Sequence, residues 1–159
     1  MQANQDLVLA KNYRVPGDIN VALLHTIIAV TALRDVLLKE IDALKSNKTA
    51  FFLELQDEKV EVARRYETLI SNLMERGPEI KNADKKLKEQ LHRLQGDFGT
   101  VAEANRTQLE RMSNATKKLG ELIMRTARKS AESATQFAYG SSGKMARGNS
   151  ASIGVNERA

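Results

Sequence analysis

Apolar residues recur at steps of mostly three, four or seven from Leu23: Leu23, Ile27, Val30, Leu37, Ile41, Leu44, Phe51, Leu55, Val62, Tyr66, Leu69 and Leu73. That is the period of one helix face. Leu24, Ile28, Leu38, Phe52, Ile70 and Met74 widen the stripe beyond a two-stranded seam, so it is expected to face more than one helix. Asp18, just after Pro16 and Gly17, is placed to cap the first turn. Ser46-Asn47-Lys48-Thr49 is poor in helix formers, and a bend is expected there. Arg76-Gly77-Pro78 ends the segment: Gly77 suits a left-handed C′ position, and Pro78 cannot continue the hydrogen bonding. So short a connection sends the next helix back antiparallel.

The second segment has a cleaner heptad. One seam position reads Leu87, Leu94, Val101, Gln108, Ala115, Leu122; the other reads Leu91, Phe98, Asn105, Met112, Leu119, Thr126. Asn105 and Gln108 are expected to weaken its middle. Gly96 and Gly99 cost about 1 kcal/mol each against Ala, so a break near Gly96–Thr100 would turn two helices into three. Past Met124 the stripe passes to Ala127, Ala131, Ala134 and Ala138, with Phe137 the one large residue. Small residues there fit either a close helix contact or a helix with little left to pack.

The expected fold class is all-α: a long antiparallel helical hairpin of the coiled-coil kind, or three helices if the break is made, with disordered termini. Residues 1–17 form a flexible arm, 18–138 the helical domain and 139–159 a small-residue tail too polar to order itself.

Composition narrows the function. There is no Cys or Trp, and only seven residues are aromatic, while Ala, Leu, Glu, Lys and Arg dominate. Disulfides and thiolate metal sites are excluded. No run of 18 consecutive apolar residues occurs, so no integral membrane segment is expected. A basic region followed by an apolar one is missing at the N-terminus, so no secretory signal is expected either. Residues 18–76 carry 8 basic and 10 acidic side chains; residues 79–132 carry 12 basic and 8 acidic. Opposite balances suit helices that lie against each other, whereas a nucleic-acid binder favours one basic face with interleaved aromatics.

Catalytic patterns are missing from the sequence. His25 and His92 each stand alone on a helix and read as packing or surface residues. Asp97-Phe98-Gly99 matches a kinase tripeptide, but it lies inside a heptad run without the companion motifs, and reads as chance. Glu40 with Asp42, and Asp57 with Glu58, read as solvated helix faces. No enzyme activity, cofactor or metal site is expected.

One resemblance goes further. The stretch LRDVLLKEIDALKSNKTAFFLELQDEKVEVARRYETLI, Leu33 to Ile70, resembles the first long helix of the FlgN-type flagellar export chaperones, with a polar mid-helix patch at Ser46-Asn47-Lys48 and an acid–base pair at Glu58-Lys59. YGSSGK, Tyr139 to Lys144, is similar to the Y-G-x-x-G segment with which many members finish. The resemblance spans roughly residues 20 to 145. It implies a cytoplasmic chaperone that holds hook-associated (hook–filament junction) proteins before type III export. It also implies that Leu119, Leu122, Ile123 and Phe137 bind the client, and that Tyr139 contacts the cytoplasmic domain of the export gate. Two other readings fit the same residues: a structural coiled coil that self-associates, as a homodimer, and a basic nucleic-acid or membrane-surface binder.

Overall fold

The computed structural model describes residues 2–140 of the chain. They form α1 (Gln2–Val8), α2 (Ile19–Lys45), α3 (Thr49–Glu75), α4 (Gly77–Asn82) and α5 (Lys85–Gly140). The all-α class and the antiparallel hairpin are as the periodicity predicts. The chain divides into two units, one of residues 1–113 and one from Asn114 onward, and α5 contributes to both.

In the first unit the long apolar segment is two helices rather than one. Asp18 caps α2 as expected, its Oδ1 accepting the N–H of Asn20 and Val21, each at 2.9 Å. The bend expected at Ser46–Thr49 is a complete reversal. Asn47 takes φ 54°, the left-handed region. The Lys48 N–H bonds the Ala43 carbonyl at 2.9 Å and the Asn47 N–H bonds that of Leu44 at 3.4 Å. This is a Schellman ending, with asparagine in the position glycine usually holds. It satisfies the last carbonyls of α2 and folds α3 back along it. Leu44 is half-buried and Phe51 is exposed because they flank this turn.

The connection at Arg76 corrects a second expectation. Gly77 takes no left-handed conformation; it opens α4, with Pro78 in the first turn where its missing N–H costs nothing. Asp84 then caps α5, accepting the Leu87 N–H at 3.0 Å. The break expected near Gly96–Thr100 does not occur, and α5 runs unbroken through both glycines. Three long helices result, but the break that makes them lies at Asn47.

The core of this unit gathers Leu23, Ile27 and Val30 of α2, Leu73 of α3 and Leu91 of α5, with Leu87, Leu94, Phe98 and Tyr66 packed around them. Leu23 lies with Leu91, and Glu40 bonds Asn105, so α5 runs in the same direction as α2. The best 18-residue window of α2 has a mean hydropathy of 1.9, long and apolar enough to cross a membrane by length and composition; 56% of that window is buried by the rest of the fold. Averaging over the window passes α2 where the sequence criterion, an unbroken apolar run, did not.

The N-terminal residues are not a loose arm. Val8 of α1 has no exposure and packs on Ala29 of α2 and Leu69 of α3, with Tyr13 and Val15 beside them. Arg65 reaches across to bond the Ala10 carbonyl at 2.6 Å and places its guanidinium 4.5 Å from the centre of the Tyr13 ring. Arg76 bonds the carbonyls of Pro16 at 3.1 Å and Gly17 at 2.5 Å. Arg65 of α3 and Arg76 at its C-terminal end thus bolt the segment down, contacts some sixty residues apart in sequence that no local pattern signals.

Candidate functional site

In the second unit the sequence dictates an amphipathic helix, and the described part of α5 there is one. Leu119, Leu122 and Ile123 lie on one stripe, and they are 57%, 52% and 58% exposed. Every described side chain from Arg111 to Ser133 is exposed. The seam positions that carry Leu91, Phe98 and Asn105 in the first unit carry Leu119 and Thr126 here. Leucine and isoleucine at seam spacing are the residues a helical partner buries. Left in water, they make an apolar strip of the sort that marks an interaction surface.

The structure therefore brings Leu119, Leu122 and Ile123 together on one exposed face. Phe137 and Tyr139 lie on the last turns of α5, outside the residues whose side chains are described. Of the segment expected as the tail, 139–159, the first two residues belong to α5 and residues 141–159 lie outside the described residues. Met124, the last large residue of the sequence stripe, is 58% exposed, and the sequence reading passed over the charges beside the strip. Lys118 and Arg125 are exposed seven residues apart, a heptad spacing that was legible in principle.

A polar cluster inside the first unit corrects two further expectations. Glu40 is fully buried rather than part of a solvated face. Its carboxylate accepts hydrogen bonds from Lys59 Nζ at 2.8 and 3.0 Å, from Gln56 Nε2 at 2.8 Å and from Asn105 Nδ2. Asn105 is buried as well, so it fills its seam position with a bonded group instead of weakening the helix. Burial pushes the Glu40 carboxyl up; the hydrogen bonds from Lys59, Gln56 and Asn105, with the Lys59 charge, outweigh it and hold the group below the usual carboxylate range.

His25 is a packing histidine, bonded through Nδ1 to the Tyr13 hydroxyl at 2.8 Å. Burial alone lowers its pKa. Burial also pushes the Tyr13 phenol up to about 12, with the Arg65 charge opposing, so the phenol keeps its proton. His92 is exposed and borders an open apolar groove of about 410 Å³, floored by Leu23, Leu73 and Leu91 and edged by Ile70, Met74 and Ile80. Lys88 beside it is already engaged, donating to the Ile80 and Lys81 carbonyls at the end of α4.

No family model, no curated protein and no solved structure matches this chain.

Proposed function

We propose that this protein is a cytoplasmic export chaperone of the FlgN type, which holds hook-associated proteins through the α5 strip and delivers them to the export gate. The observation that carries the reading is the exposed strip of Leu119, Leu122 and Ile123 on a helix whose described neighbours from Arg111 to Ser133 are exposed all round. A helix that pays for its own order with capping and propensity, yet leaves its apolar stripe in water, needs a partner to cover it. A carrier suits that arrangement, because a strip on one helix binds a client helix without enclosing it. In this reading the apolar α2 is the core helix of the bundle, and Tyr139, close to the end of α5, contacts the gate.

The test is co-purification of the full chain with a hook-associated protein. Leu119→Ser, Leu122→Ser and Ile123→Ser together should abolish capture while the melting temperature changes little. Loss of helicity with loss of capture would make these residues core and end the reading. A stable dimer that ignores the client, seen by light scattering, would replace it with structural self-association.

A further inference from the structure

The two borders of the strip are unlike, and the difference constrains what covers it. At about 100° per residue, Lys118, Arg125 and Lys129 line one border, while Thr116, Gly120 and Ala127 line the other. The basic three are exposed, and none forms a salt bridge among the described residues. Elsewhere on the helices, acids three or four residues away are used: Arg106 pairs with Glu103 at 2.6 Å and Glu110 at 2.5 Å, and Arg76 pairs with Glu79 at 2.5 Å. Glu121 stands at such spacings from Lys118 and Arg125, and Glu132 from Lys129, yet among the described residues neither acid pairs with them. The basic border is thus left open toward whatever lies on the strip.

Residues flanking a helical seam select its partner and its orientation. A second copy of this chain suits neither orientation. Antiparallel pairing sets Lys118, Arg125 and Lys129 against their own counterparts, which is repulsive. Parallel pairing sets them against the uncharged border, which supplies no carboxylate. An anionic membrane surface is the rival occupant, since Lys117 and Arg128 add basic charge opposite Leu119, but Glu121 and Glu132 stand among them and the vesicle measurement below decides between the two.

We infer that the strip takes an amphipathic α-helix of another protein that bears carboxylates along the one flank meeting Lys118, Arg125 and Lys129. The uncharged border, with Gly120 at its middle, lets that helix close in on the other side. The inference rests on the reading of the strip as the client site and specifies the chemistry of the client helix.

The probe is a pair of synthetic helical peptides with the same leucine seam, one carrying Glu and the other Lys at the flanking positions. Binding of each to the full chain is measured by fluorescence anisotropy at low and at high salt. The Glu peptide should bind at least about tenfold tighter at low salt, and the advantage should shrink as salt rises. The triple reversal Lys118→Glu, Arg125→Glu, Lys129→Glu should invert the preference, whereas Lys85→Glu with Lys86→Glu should leave it unchanged. Equal binding of both peptides, abolished by the serine triple variant, would overturn the inference and leave the strip intact as a client site. Binding of neither would sink the strip reading along with it. A preference that survives the triple reversal, or tighter binding to phosphatidylserine vesicles than to the Glu peptide, would also overturn the inference.

Discussion

The carboxylate of Glu40 on α2 accepts a hydrogen bond from Asn105 on α5, 65 residues later in the chain, and both side chains are buried. With Lys59 and Gln56 of α3 on the same carboxylate, one residue ties three helices at a single level. Sliding any helix by one turn would leave a buried charge unpaired, so the cluster fixes register as a single polar seam residue does in a coiled coil.

Glu40→Ala should therefore cost about 3–5 kcal/mol, because it strands Lys59, Gln56 and Asn105 as well as opening a cavity. The pH dependence has a definite sign. The folded carboxyl holds its proton more weakly than the unfolded one, so the unfolded state takes up protons first as pH falls. The stabilisation is complete above the ordinary glutamate range and is lost as pH drops through it and below. Denaturant melts of the wild type and Glu40→Gln across that range check this: the acid-side loss should be smaller in the variant.

The docking of the N-terminal segment should also weaken with acid, in a different window. His25 is held neutral by burial, hydrogen-bonded through Nδ1 to the Tyr13 hydroxyl and near the Arg65 cation that lies over the Tyr13 ring. The unfolded histidine binds a proton more readily, so stability is lost as pH falls through and below the ordinary histidine range. Protection of the Val8 and Leu9 amides from hydrogen exchange, corrected for intrinsic rate, should drop between about pH 7.5 and pH 5, and His25→Gln should flatten that drop. Unchanged protection would mean that Val8 and the arginines hold the segment without His25.

Asn47 is a left-handed residue in the tightest turn of the fold. Asn47→Gly should be neutral to within about 1 kcal/mol, since glycine adopts that conformation freely. Asn47→Val should lose about 1–2 kcal/mol or more through the clash of its branched side chain. The denaturation midpoints of the two variants should fall on opposite sides of this difference while helicity stays constant.

Gly96 and Gly99 are exposed within α5, and a Cβ added at either meets nothing within 4 Å. Alanine there keeps the helix and reduces the freedom of the unfolded chain. Each of Gly96→Ala and Gly99→Ala should add about 0.5–1 kcal/mol of stability in thermal melts, roughly additively. A loss in either variant would mean that α5 needs to bend at this point.

Tyr139→Ala tests the proposed gate contact separately from the proposed client site. A tyrosine brings apolar area and one hydroxyl at low entropic cost, which suits a shallow and reversible contact. Under that proposal the variant should keep its melting temperature and its capture of a hook-associated protein while losing most of its binding to the cytoplasmic domain of the export gate and reducing motility. Deleting residues 140–159 should do less harm than this one change. Wild-type gate binding by Tyr139→Ala would remove the residue from the proposed function.

The sequence by itself determined the helices and their faces. Local hydrogen bonding and a 3.6-residue period dictate these, so the Leu23–Leu73 stripe, the Asp18 cap and the Leu119–Ile123 face are all readable along the chain. Tertiary structure decided where the chain reverses and what becomes of its polar residues. Ser46–Lys48 reads locally as a weak stretch of helix; only the packing of α3 back on α2 makes Asn47 a left-handed turn. The glycines at 96 and 99 read as the weaker point, yet the burial of Leu91 and the packing of Leu94 and Phe98 around them outweigh a cost of about 2 kcal/mol. Glu40 and Asn105 look like a solvated acid and a seam defect until three helices bring them together, and Val8 looks like part of a loose end until Ala29 and Leu69 cover it. Each of those outcomes depends on contacts between residues far apart in sequence, whose energy exists only once the helices have packed.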